Sequence, residues 1–135
     1  MSIDATQLRL LIIRPTLQYL GLWSPFRENL LLGTCAQESQ CGTYLIHNSV
    51  IYHLISALEL DSFSGVFDQI IFNLRYAAAL AFMSYYRHQD FIDGSENDIV
   101  SMAKYWKKYY NSINGAGTEQ EFINNYGKYI QKSSD

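Results

Sequence analysis

An all-α fold, one compact domain of about six helices over residues 1–135, is what this sequence predicts. Three observations carry the prediction. Apolar side chains recur at helical rather than alternating spacing along most of the 135 residues. Start and stop signals bracket these runs, among them Gly21, Ser24-Pro25 and Thr118-Glu119-Gln120-Glu121. Hydrophobic residues make up 48% and charged residues 17% of the chain, a globular rather than disordered balance.

The first helix is expected over 4–20, with Leu8, Leu11, Ile12, Leu17 and Leu20 on its apolar face. Asp4 caps it, Gly21 follows its end, and Pro15 kinks or splits it by removing an N–H and crowding the preceding turn. A second helix starts at Ser24-Pro25 and runs to about Glu38. A third is expected over 46–60. His47 and His53, six apart, do not share a helix face there and form no metal pair.

The turn Asp61-Ser62-Phe63-Ser64-Gly65 leads to a fourth helix over about 66–88. It is apolar nearly all round and predicts a buried central helix. Arg75 within it must find a carboxylate, Glu38 being one candidate, or reach solvent past its neighbours. After a loop, Ser95-Glu96-Asn97-Asp98 resembles a capping box for a fifth helix to about Asn111. The flexible turn Asn114-Gly115-Ala116-Gly117 precedes the last helix, whose inner face carries Phe122, Ile123, Tyr126, Tyr129 and Ile130.

Composition excludes several functions. A net charge of −3 argues against broad electrostatic capture of DNA or RNA, and Lys104, Lys107 and Lys108 form the one basic cluster. No apolar run reaches the roughly 18 residues that a bilayer span needs, and the N-terminus shows no signal-peptide cleavage pattern. Cys35 and Cys41 have no neighbouring His or Cys and make no metal set; both read as reduced, packed residues. No cofactor motif is present, and the Gly115–Gly117 turn is too short for a phosphate loop. Eleven tyrosines and seven phenylalanines exceed what a core of this size needs, so some are expected at an interface or a groove.

The stretch that could carry chemistry is Leu30-Leu31-Leu32-Gly33-Thr34-Cys35-Ala36-Gln37-Glu38-Ser39. It ends a Leu-rich helix with one carboxylate followed at once by a hydroxyl. Gly33, Cys35 and Ala36 are small enough to let another helix approach closely. Glu38 is either a solvated helix-end residue or a general acid held against apolar neighbours. The run from Lys104 to Asn111 mixes lysines with aromatics. It reads as a helix end favouring the macrodipole, or as a platform on which sugar rings or bases stack.

These residues resemble a known family. Leu20-Gly21-Leu22-Trp23-Ser24-Pro25, continuing through Glu28-Asn29-Leu30-Leu31-Leu32-Gly33-Thr34 to Ala36-Gln37-Glu38-Ser39, is similar to small phage proteins of the lysozyme-like, lytic-transglycosylase superfamily. The run Tyr105-Trp106-Lys107-Lys108-Tyr109-Tyr110-Asn111, with Gly115, Gly117, Thr118, Glu121, Phe122 and Tyr126, matches that family's C-terminal signature. Asn73-Leu74-Arg75-Tyr76-Ala77 stands in the place of its central helix. The resemblance implies a lysozyme-like helical fold, with Glu38 at the position of the catalytic glutamate and Ser39 orienting it or the substrate. It also implies peptidoglycan as substrate.

The departure bears on function. Family members follow Glu-Ser with a glycine-rich stretch, a Phe-Gln-Met element and a Pro-x-Thr-His element that build the cleft. Here Gly42-Thr43-Tyr44-Leu45 leads almost directly into a hydrophobic helix, and Glu59 and Asp61 are second-carboxylate candidates only by being acidic. The expected function is therefore a phage-encoded or virion-associated interaction protein on a catalytically degenerate lysozyme-like scaffold. The alternative is a muramidase or lytic transglycosylase using Glu38 as general acid and base. Binding candidates are Trp23, Tyr105, Trp106 and Tyr109, as an exposed aromatic patch. Expected partners are other phage or virion proteins, a second copy of the chain, or peptidoglycan, in the virion or the cytoplasm of an infected cell. Nucleic acid and a membrane span are not expected.

Overall fold

The computed structural model describes residues 4–39, 66–111 and 115–131, with the backbone alone for Ser39 and residues 66–73. Among these residues it is all-helical, with five helices. The helix expected over 46–60, with His47 and His53, lies outside the described residues, as do Cys41, Glu59 and Asp61.

Helix α1 runs through three consecutive segments, Ala5–Gln7, a π-helical Leu8–Ile13 and Arg14–Tyr19. Asp4 caps it by accepting from the Thr6 N–H at 3.3 Å, and Gly21 closes it at φ +71°. The π turns, in which the Arg14 N–H reaches back to the Arg9 carbonyl, stand just ahead of Pro15. Pro15 has no N–H to offer the Leu11 carbonyl four residues back. Arg75 takes up that carbonyl through Nε at 2.9 Å. Its partner is thus a backbone oxygen and not Glu38.

Helix α2, Pro25–Ser39, begins at Ser24, whose Oγ accepts from the Arg27 N–H at 3.1 Å. From Phe26 to Ala36 it is buried except at Arg27 and Cys35, which are half-buried, making it the most enclosed helix described. Gly33 permits the closest approach. A Cβ there would stand 3.0 Å from Phe122 Cε1 and Tyr126 Cδ2 of helix α5, Glu119–Tyr129. Small residues at this position let α5 pack against α2, as expected from the sequence.

Helix α3, Val66–Tyr86, buries Leu74, Phe82 and Tyr85. It is not buried all round: Tyr76 is 65% and Leu80 53% exposed. Helix α4 comprises Ile99–Tyr105 and continues through a second π-helical segment, Trp106–Asn111. Its cap is Asp98, which accepts from the Ser101 N–H and Oγ, rather than Ser95 at the head of the expected box. Helix α5 starts as expected, with Thr118 Oγ1 accepting from the Glu121 N–H at 3.1 Å. Its buried stripe is Phe122, Tyr126 and Ile130.

Candidate functional site

Glu38 lies in the last turn of α2 and is exposed. One oxygen is engaged: the Trp106 indole Nε1 of α4 donates to Glu38 Oε1 at 3.0 Å. The indole itself is 1% exposed and packs on Phe122 of α5, with ring centres 5.7 Å apart. The carboxylate therefore stands where a solvent-facing helix end meets a fixed, buried donor.

Beside it opens a pocket of about 410 Å³ between α1, α2 and α3. Ile12, Ile13, Leu74, Ala77, Ala78 and Ala81 supply most of an apolar wall, with Thr34, Cys35, Glu38 and Tyr110 bringing the polar atoms. Alanines on α3 leave the room that larger side chains would have filled. The volume falls at the lower end of the range typical of ligand sites.

A buried polar pair underlies this wall. Thr34 Oγ1 donates to the Leu30 carbonyl at 2.8 Å and lies 2.6 Å from the Tyr85 hydroxyl. With the threonine proton so committed, the Tyr85 O–H donates to Thr34. Burial pushes the Tyr85 phenol well above its ordinary pKa against the lowering effect of this bond, and repulsion from Tyr110, once that phenol ionises, and from Glu38 adds to the rise. Tyr110 stacks on Tyr85 at 6.0 Å and is raised in the same way, by burial first and then by Glu38 and Cys35. Both tyrosines stay neutral hydroxyls beside Glu38 at physiological pH.

Trp106 is held by the residues that follow it. The Lys107 ammonium donates to Asn111 Oδ1 at 2.9 Å, to the Gly115 carbonyl at 2.8 Å and to the Gly117 carbonyl at 2.6 Å. Its three protons thus each meet one acceptor. The turn so drawn in lies against the indole, where a Cβ on Gly117 would stand 2.5 Å from Trp106 Cη2.

The four aromatic binding candidates do not form one exposed patch. Trp106 is enclosed. The Tyr105 hydroxyl accepts from the Ile92 N–H at 3.1 Å, and its ring packs on Phe91 at 5.0 Å, so it anchors the loop before α4. Tyr109 stacks on His88 at 3.8 Å, and its hydroxyl is raised by hydrogen bonding with Asp90. Lys108 pairs with Asp90 at 2.9 Å, and the two are exposed. Trp23 is 40% exposed, with Nε1 donating to Glu28 Oε1 at 2.9 Å. The other sequence candidate, Ser39, has only its backbone described, at the end of α2.

What residue-by-residue reading missed is a buried acid at the other end of α2. Glu28 is 1% exposed. It accepts from Arg14 Nε at 2.6 Å and Nη2 at 3.0 Å, from Trp23, and from Arg9 Nη1. Asn29 beside it accepts from Arg9 at 2.8 Å and donates to the Glu96 carbonyl at 2.8 Å. Burial alone would raise the Glu28 carboxyl, but the bonds from Arg14, Trp23 and Arg9 outweigh it and hold the group below its ordinary pKa. The available signal was Arg9 and Arg14 on an otherwise apolar helix, opposite Glu28-Asn29 on another.

Among the described residues the site offers one carboxylate at the pocket rim, Glu38. Among the described residues no cluster of three or more His, Cys, Asp or Glu could hold a metal ion, and no helix is long and apolar enough to cross a membrane. No protein-family model matches the chain, nor does any curated protein or solved structure.

Proposed function

We propose that this chain is a phage-encoded interaction protein on a lysozyme-like helical scaffold that has lost saccharide cleavage, acting in the virion or the infected cell. The observation that carries the reading is the pocket beside Glu38. Among the described residues its wall is apolar, with Glu38 the carboxylate at the rim, and a hydroxyl-covered sugar chain gains little from such a wall. A partner protein presenting an apolar side chain next to a Lys or Arg fits it better.

The lysozyme-like part of the proposal is supported by where its two motif segments meet. Residues of 20–39 and 105–126 pack against each other around Glu38. Trp106 bonds Glu38, Asn125 Nδ2 donates to Gln37 Oε1 at 2.6 Å, and Phe122 and Tyr126 cover Gly33.

One observation favours the second reading, a muramidase or lytic transglycosylase: the Glu38 carboxylate is oriented by a buried indole rather than left to solvent. In that reading Glu38 protonates the glycosidic oxygen. It then serves as base toward water or the sugar's own 6-hydroxyl.

A turbidity assay on purified cell walls separates the two. Under the first reading neither the wild-type chain nor Glu38→Gln clears peptidoglycan, while Ala78→Leu, which fills the pocket, lowers complementation of a phage lacking this chain. Clearing by the wild type that is lost in Glu38→Gln, with the fold intact, establishes the enzyme instead.

A further inference from the structure

Lys107 does not line the pocket, yet three of its contacts bear on the group that does. Its ammonium closes the 115–117 turn by capturing the Gly115 and Gly117 carbonyls together with the Asn111 amide oxygen. The turn backbone then lies so close to the indole that only glycine fits at 117. The indole also packs on Phe122, with ring centres 5.7 Å apart. Held by these two contacts, the ring directs its N–H to Glu38 Oε1 at 3.0 Å.

We propose that Lys107 is a positioning residue for Glu38, acting through the 115–117 turn and the Trp106 indole. The combination Trp106-Lys107, Asn111, Gly115 and Gly117 is then one device. Lysine supplies three donors, asparagine and two carbonyls absorb them, the second glycine admits the ring, and the ring fixes the carboxylate. The inference rests on Glu38 being the working group of the pocket, whether it meets a partner's cation or a glycosidic oxygen. It gives the lysine and the glycines a role that neither a helix-end macrodipole nor a stacking platform explains.

The chain contains two tryptophans, so the indole N–H region of a ¹⁵N-correlated NMR spectrum holds two signals, and Trp23, bonded to Glu28, is an internal control. Glu38→Ala is expected to move the Trp106 indole signal and to speed its hydrogen exchange roughly tenfold, as for the loss of one hydrogen bond. Lys107→Met is expected to do the same while the Trp23 signal stays. The double variant should add little to either single change, because both act on one chain of contacts.

A Trp106 signal unmoved by Lys107→Met, or effects that add in full, overturns the proposal. Should Lys107→Met lose the Trp23 signal too, and so the fold, Gly117→Ala replaces it in the same cycle. Its Cβ pushes directly on the indole, and an unmoved Trp106 signal there overturns the proposal equally. None of these readouts depends on cell walls or on a partner, so the function proposed above can fail while this inference stands, and the reverse.

Discussion

Replacing Glu28 by Gln tests the buried ionic cluster at the start of α2. The carboxylate accepts four hydrogen bonds, one from Arg9, two from Arg14 and one from Trp23, at a side chain 2% exposed. Gln keeps the shape, loses the charge, and turns an NH₂ toward guanidinium donors. Breaking a buried pair by removing one partner costs about 3–5 kcal/mol. The arginine side chains are 27% and 36% exposed and recover some hydration, which places the expected loss near the lower bound, about 3 kcal/mol. For a domain of this size that lowers Tm by on the order of 10 °C.

Urea denaturation followed by circular dichroism measures the loss directly, and a pH series identifies its origin. The folded-state pKa of Glu28 lies below its ordinary value of 4.5. Its contribution is therefore complete above that ordinary value and disappears as pH falls through the depressed one. The gap between wild type and Glu28→Gln should be widest near neutrality and close on acidification. A loss under about 1 kcal/mol at neutral pH, or a gap independent of pH, refutes the assignment of the cluster as a stabilising ion pair.

Two further substitutions probe the packing. Gly33→Ala sets a methyl against the buried Phe122 and Tyr126 rings and is expected to cost about 1–3 kcal/mol by denaturant titration, despite alanine's better helix propensity. Arg75→Met removes the donor to the Leu11 carbonyl and is expected to cost about 1 kcal/mol. That cost should shrink in a Pro15→Ala background, where residue 15 again has an N–H for the same carbonyl. Equal costs in both backgrounds would show that Arg75 does not stand in for the missing helical bond.

Local signals were legible where one short segment contains the whole interaction. The cap at Thr118, the start at Ser24-Pro25, the stop at Gly21 and the disturbance before Pro15 all follow from residues within a turn of one another. The Asp98 cap was displaced from Ser95 because both residues have cap-forming side chains and spacing does not choose between them. The π segment at Trp106–Asn111 has no local signal of its own in the sequence.

By itself the sequence determined an all-helical chain with a carboxylate at the end of its second helix, since periodicity, caps and composition are local properties. Tertiary structure decided which polar groups that chain buries and which it presents. Glu28, unremarkable in the sequence, became the enclosed acid because two arginines of α1 fold onto it. Glu38 became a rim carboxylate with a fixed donor because residues 68 positions later return to it. The aromatic run around Trp106, which reads as a surface in sequence, turned inward for the same reason. Burial depends on contacts between segments far apart in the chain, and no short window of residues contains them.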